Sequence, residues 1–418
     1  MSIFNYKNKS FLKNKRFRNF LIGSSVSWLG SSMDNMIFTL IAIDITGSPA
    51  SVGVMLMVLS LPNFLFSLFG GTFADMFDKK KIIVWTNYIR CVLIGIILVL
   101  FVFNKLNFFL LCAVLFIVES LSNFCGPATA ATIPRLLTKQ EYFKARSFSG
   151  GILQGISMIG PSISTVLVAL TGYWVPLTVD SLSYLFAGKM VSVTDMSDIQ
   201  EKSTAKRGIK EVVHNTVDGF RYIKSNKFLV KLVIIILLMN LVLGLFDVPL
   251  PFMMKENFNL DKTYYAYLKT IFAGAGLLST IFLTKYEVKK PGKTIILFMF
   301  IMGGALILFG LSKNYYLACV LSAISAFFRT CIAITLWSFI SIISDDKYRG
   351  RVVATIGMVI TSVVPLSNGV SGILVERFPA GMIFTFGGVV FIIISLIYCF
   401  DSYVMNYTIS EEANAVGA

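Results

Sequence analysis

The chain has 418 residues, of which 56% are hydrophobic and 14% charged, with 37 Lys and Arg against 22 Asp and Glu. Soluble domains run about 45–50% apolar and about 25% charged, so the composition excludes a water-soluble globule. The 37 Phe against 31 Gly and 11 Pro exclude disorder and collagen, and on so apolar a chain the surplus of cations reads as an insertion signal, with no nucleic acid expected as a partner.

Stretches of about 20 apolar residues, the length that crosses a bilayer at 1.5 Å rise per residue, recur twelve times: 17–45, 51–75, 81–103, 106–130, 147–171, 173–193, 229–251, 264–284, 293–312, 315–343, 351–375 and 380–404. They predict an all-α polytopic membrane protein with twelve transmembrane helices in two six-helix halves. The first stretch lacks a short apolar core followed by a small-residue cleavage site, so it reads as a mature span rather than a leader. Asp34 lies near its mid-depth, beside Asn35 and one turn from Ser31. A charge at that depth costs at least ~2.5–3.5 kcal/mol and calls for a partner or a pathway. Asp34 therefore reads either as a site for a proton or a cationic substrate, or as a structural hydrogen-bonding group.

Spans two and three are joined by Gly70-Gly71-Thr72-Phe73-Ala74-Asp75-Met76-Phe77-Asp78-Lys79-Lys80-Lys81. Such a turn combines small residues for close helix approach, a carboxylate to cap or pair, and a run of cations. Arg90 in span three and Glu119 in span four lie at similar depth, so they form an ion pair or Glu119 serves as a proton carrier. In span five the run 151–161 carries Gly155, Gly160 and Pro161, residues suited to close packing and bending. Asp180 in span six and Asp247 in span seven fall in outer halves and read as exposed to an external vestibule. Asp44 and Glu376, at span ends, read as solvated.

Thr194 to Phe228 is the long polar connection, and it carries the chain's one histidine, His214, which reads as a surface residue. Its apolar residues near helical spacing suggest either an interfacial amphipathic helix or a solvated tether. It makes 194–228 a linker between an N-terminal half, 1–193, and a C-terminal half, 229–418. Inside the halves, Pro161 follows Arg146 by fifteen residues and Pro365 follows Arg351 by fourteen. Weak internal repetition of this kind fits transporters that rock around a central site. Arg329, near the middle of span ten, reads as pairing with an acid or contacting an anionic substrate. Trp28 and Trp337 are candidate cavity aromatics, and the six cysteines read as buried small hydrophobes.

Short cytoplasmic loops retain basic residues during insertion. Of the 37 Lys and Arg, 28 fall in the N-terminal tail and the connections after even-numbered spans, counted with the first three residues of the span that follows each, and five in the opposite connections. That asymmetry predicts that both termini are cytoplasmic.

The loop between spans two and three resembles the signature of the major facilitator superfamily, Gly-x-x-x-Asp-basic-x-Gly-basic-basic. It keeps Gly71, Asp75, Lys79 and Lys80, but Met76 replaces the first basic residue and Asp78 the second glycine. Its Asp-Lys-Lys ending is similar to the drug:proton antiporter branch that includes macrolide-efflux-type proteins. Gly23-Ser24-Ser25-Val26-Ser27 and Ile45-Thr46-Gly47-Ser48 in span one, Ile133-Pro134-Arg135-Leu136-Leu137 and Tyr348-Arg349-Gly350-Arg351-Val352 carry the same resemblance. The span-five run resembles the antiporter motif of that branch, although Ser162 and Ser164 depart from its ending; small residues at any helix contact are the alternative.

The sequence offers no His pair for a metal, no intramembrane Ser-His arrangement and no GxxxxGK loop, so no enzyme, cofactor or metal is expected. The resemblance implies a proton-coupled secondary transporter that exports a hydrophobic or amphipathic small molecule, multidrug or macrolide-like, by alternating access. The Asp75 loop would then act as a gate. Its expected partners are the substrate, protons and the lipid bilayer, the expected functional unit is a monomer, and the expected location is the bacterial plasma membrane. The same resemblance leaves open export of an endogenous metabolite such as a siderophore.

Overall fold

The computed structural model describes residues 10–196, 209–286, 288, 290–401 and 405; at 10, 67–76, 139, 209–213, 215, 346 and 347 it describes the backbone alone. After a single turn at Ser10–Lys13, the first helices are α1 (Lys15–Thr46), α2 (Pro49–Met76), α3 (Lys79–Val102), α4 (Phe108–Thr132), α5 (Lys139–Thr171) and α6 (Trp174–Ser192). Then come α7 (Ile209–Ser225), α8 (Lys227–Leu243), α9 (Pro249–Phe258), α10 (Tyr265–Lys285), α11 (Pro291–Leu311), α12 (Tyr315–Ile343), α13 (Asp346–Arg377) and α14 (Ala380–Cys399).

Short polar residues start these helices where the apolar runs begin, because their side chains satisfy the first free backbone N–H groups. Asn14 accepts from the N–H of Arg16 and Phe17 at 3.0 and 3.2 Å. Asp78 accepts from those of Lys80 and Lys81. Thr138 and Glu141 form a capping box, and α5 consequently begins eight residues before the expected 147. Asn107, Asn226 and Asn314 cap α4, α8 and α12 in the same way.

Among the described residues, ten helices are long and apolar enough to cross a membrane, or eleven when the bent pair 216–225 and 227–243 counts as one. The ten coincide with expected spans one to five and eight to twelve. Expected span six, α6, is diluted by Asp180, Lys189 and several serines. Expected span seven is not one continuous helix over 229–251. It ends at Leu243 and resumes at Pro249, whose ring nitrogen cannot donate to an earlier turn but suits the first position of a new helix. The backbone oxygen of Leu245, freed by the break, accepts from Ser371 Oγ at 2.6 Å.

By packing, the chain divides into two units: residues 1–41 with 61–212, and residues 42–60 with 213–418. In the first unit, α3 packs along α6 and against α4; in the second, α11 packs along α14 and against α12. The pairs occupy equivalent places in the two sets of six spans, so the internal repetition extends to helix packing. At the α11–α14 seam a Cβ on Gly303 would lie 2.8 Å from the Gly388 oxygen, and one on Gly310 2.3 Å from the Gly381 oxygen. Glycines let the two backbones touch there.

Residues 42–60 pack on the second unit's helices. Asp44 pairs with Lys262, Ser48 Oγ donates to Glu376 Oε1 at 2.6 Å, and Asn368 Nδ2 donates to the Leu56 oxygen at 3.3 Å. Asp44 and Glu376 therefore have protein partners as well as solvent, a correction to their reading as solvated ends. The helix α7 is not a free tether: of the two expectations, the segment forms the amphipathic helix, with one face packed on α13. Its Asp218 accepts from Arg351 at 2.9 Å, Tyr222 stacks on Tyr348 with ring centres 4.8 Å apart, and Gly219 closes on the Arg351 backbone. His214 on the same helix is exposed and 3.5 Å from Asp218. Among the cysteines, Cys112 and Cys331 are buried, Cys91, Cys125 and Cys319 half-buried, and Cys399 exposed, so the expectation of uniform burial fails at the last.

Candidate functional site

Four helices of the first unit bring their intramembrane polar residues to one place. On α1, Ser31 and Asp34 lie three residues apart and hence on one face; on α6, Asp180 and Tyr184 lie four apart and share a face as well. Arg90 comes from α3 and Glu119 from α4. Gly30 makes the α1–α6 approach possible, since a Cβ there would stand 2.2 Å from Ser183 Oγ and 2.4 Å from Asp180 Oδ1.

Tyr184 Oη is the hub. It donates to Asp34 Oδ2 at 3.1 Å, accepts from Arg90 Nη2 at 2.7 Å and lies 2.9 Å from Ser31 Oγ. The Arg90 guanidinium also covers the Tyr184 ring, with Cζ 4.0 Å from its centre. Arg90 Nη2 reaches Ser31 Oγ as well, at 3.3 Å. Asp34 is 3% exposed, Arg90 5%, and Asp180 and Tyr184 not at all.

The arrangement is short of donors. Asp34 Oδ1 and both Asp180 carboxyl oxygens are buried without a hydrogen-bond donor from any described residue, and so is the Arg90 Nε without an acceptor. Asp34 and Asp180 are neighbours across the α1–α6 contact, since Gly30, one turn before Asp34, stands directly against Asp180 Oδ1. Two ionised carboxylates have only acceptors, so a proton on one would supply the missing donor. Glu119 lies within electrostatic range of Arg90 without forming an ion pair with it. The cluster thus holds three acids to one cation.

Of the expected site residues, the structure brings together Asp34, Arg90 and Glu119. The expected Arg90–Glu119 ion pair is absent, because Arg90 directs its hydrogen bonds to Tyr184 and Ser31. Asp180 is corrected from an exposed vestibule residue to a wholly buried member of the cluster. Tyr184, which the sequence does not single out, is its centre; its spacing of one helical turn from Asp180 is the available signal.

Gly71 and Asp75 of the loop signature lie outside the described side chains, within the helical backbone of α2. Lys79 and Lys80 open α3, and Asp78, standing at the signature's second glycine, is the cap of that helix. In α5, Gly160 packs on α1: a Cβ would lie 1.8 Å from Ser32 Oγ. Gly155 faces open space, and the helix runs unbroken through Pro161.

Arg329 belongs to the second unit. It lines a cavity of about 270 Å³ together with Asp247, Lys269 and several phenylalanines. Asp247 pairs there with Lys269, and its side chain is 52% exposed. Among the described residues no cluster of His, Cys, Asp and Glu is arranged to hold a metal.

Residues 20–367 match the family model for the Major Facilitator Superfamily, which covers most of the chain. The chain belongs to that superfamily and is a multi-pass membrane transporter. It is 22% identical over 391 residues to macrolide efflux protein A of Streptococcus pyogenes, covering 91% of this chain and 95% of that protein. It is 26% identical over 276 residues to the MFS-type transporter YkuC of Bacillus subtilis, a match spanning 63% of that relative's length and 64% of this chain. Among solved structures it is similar to the POT family transporter PepTSo, with TM-score 0.70, 12% identity and coverage of 94% and 99%. A bacterial homologue of the human lysosomal transporter Spinster, inward-facing and occupied, gives TM-score 0.69 at 12% identity, with coverage of 93% and 96%.

Proposed function

We propose that this major facilitator protein is a proton-driven exporter of a hydrophobic or amphipathic small molecule, with the Asp34–Asp180 pair as its proton site. The observation that carries the reading is a pair of buried aspartates, three of whose four carboxyl oxygens have no donor among the described residues, with Tyr184 tying Asp34 to the Arg90 guanidinium. Such a pair is complete only with a shared proton, and a site that takes up and releases a proton as its surroundings change is the element a proton-driven cycle needs. Tyr184 links the pair to Arg90 and so carries its protonation state to the cation. The relatives named macrolide efflux protein A support export as the direction.

Each proton falling through the membrane potential supplies about 2.3 kcal/mol per 100 mV, enough for roughly a fifty-fold gradient. Alternating access would come from rocking of the two sets of six spans, with the Asp75 loop gating one side and both termini in the cytoplasm of a bacterial cell. A single chain carries both sets and works as a monomer.

The test is accumulation of erythromycin and of lipophilic dyes of either charge in energised inverted vesicles, comparing wild type with Asp34→Asn at equal protein level. The reading expects accumulation that a protonophore abolishes and the substitution removes. Protonophore-resistant accumulation, or full activity in the Asp34→Asn protein, overturns it.

A further inference from the structure

The second unit contains a cavity whose chemistry differs from that of the buried acid cluster. It opens at the break between α8 and α9, where the chain leaves helical geometry for five residues and presents Phe246 and Asp247 to the space. Interrupted membrane helices are common at ligand sites, because residues freed from the helix can face a ligand. Phe246 stacks on Phe384, ring centres 4.9 Å apart and planes at 29°, and Phe309 meets Phe384 edge-on at 4.9 Å. These rings make an aromatic wall. Phe272 lines the same space.

Opposite charge stands in the same cavity in unequal amounts. Asp247 is paired with Lys269, whereas Arg329 has no hydrogen bond or ion pair with any described residue and acts on Asp247 only at longer range. One cation is therefore in excess in a cavity whose charged groups are open to an incoming ligand, the Asp247 side chain being 52% exposed. A guanidinium presents a planar fork of donors that matches a carboxylate or phosphate in two-point contact. The volume, about 270 Å³, lies just below the range for drug-sized ligand pockets, about 300–1,000 Å³, and so suits a small ligand.

We infer that this cavity binds an aromatic or otherwise flat hydrophobic anion, its acid group on Arg329 and its ring against the wall of Phe246, Phe309 and Phe384. The inference names the substrate class of the exporter and rests on that reading for its physiological meaning. Binding itself needs no proton gradient. A lipophilic cation is disfavoured here by Arg329 and gains nothing from Asp247, which Lys269 already neutralises.

The probes are 1-naphthaleneacetate, its uncharged amide, and a naphthylmethyl trimethylammonium cation, titrated calorimetrically into the purified full chain in lipid nanodiscs without any gradient. The acid should bind at least about tenfold tighter than the amide, the difference expected of one charge-assisted contact. Arg329→Gln should reduce the acid to the affinity of the amide while the amide is unchanged; Arg329→Lys should keep part of the preference. Lys313→Gln, outside the cavity, should change nothing. Equal affinity for acid and amide, preference for the cation, an unchanged preference in Arg329→Gln with wild-type melting temperature, or no binding of any probe by folded wild type overturns the inference. None of these results bears on protonophore sensitivity, so failure here and failure of proton coupling are separable.

Discussion

Tyr184 is the residue on which the acid cluster turns, because one hydroxyl serves Asp34, Arg90 and Ser31 together. Removing that hydroxyl leaves the ring under the guanidinium and the packing intact. Tyr184→Phe should therefore lower protonophore-sensitive export by about tenfold or more, the weight of a lost hydrogen bond to a charged group, at unchanged protein level and melting temperature. Wild-type export rates in this variant would remove Tyr184 from the coupling path. Asp34, Arg90 and Glu119 were legible in the sequence because a charge within an apolar run is conspicuous. Asp180 was equally visible as a charge but was placed in water, since depth along a span does not reveal which face meets a neighbour. Tyr184 carried no such signal, as a tyrosine within a span resembles the many aromatics at helix contacts.

The helices divide a motif that looks uniform in sequence. In α5, Gly160 has Ser32 of α1 against it, while Gly155 five residues earlier has open space. Gly160→Ala should lower stability by about 1–3 kcal/mol, as overpacking does, read as a lower melting temperature of the purified protein. Gly155→Ala should raise it or leave it unchanged, because alanine favours a helix interior over glycine by roughly 0.5–1 kcal/mol. Equal destabilisation by both would show that the contact at Gly160 has been misassigned. Helix starts were readable at the cap residues, and ten of the twelve spans follow directly from apolar length. The break in span seven was not, although Gly244 and Pro249 were there to see. An apolar run scores the same whether or not its backbone is helical, and here the break is fixed by tertiary contacts at Ser367 and Ser371.

At the scale of the molecule, repetition of two six-span sets was legible in weak proline and loop correspondences, and the equivalent α3–α6 and α11–α14 pairings give it physical form. What chain order could not reveal is that residues 42–60 pack with 213–418. A helix of 32 residues such as α1 is long enough to belong to one packing unit at its start and another at its end. If export requires those residues to part from Lys262 and α13, fixing them should arrest it. With the six native cysteines replaced, Ser48→Cys with Glu376→Cys, bridged by a short bifunctional reagent, should abolish export, and a cleavable reagent should restore it on cleavage. Undiminished export by the bridged protein would mean that this contact persists throughout the cycle.

The central claim is that the buried cluster of α1, α3, α4 and α6 holds an exchangeable proton, and it can be tested without knowing the substrate. Infrared difference spectroscopy of the purified protein in lipid detects the carbonyl stretch of a neutral carboxyl group directly. The account predicts such a band at neutral pH in the wild type and a clear loss of its intensity in both Asp34→Asn and Asp180→Asn, since either change removes one member of the aspartate pair and leaves the other within electrostatic range of Arg90. A spectrum without the band, or one that neither substitution alters, would contradict it.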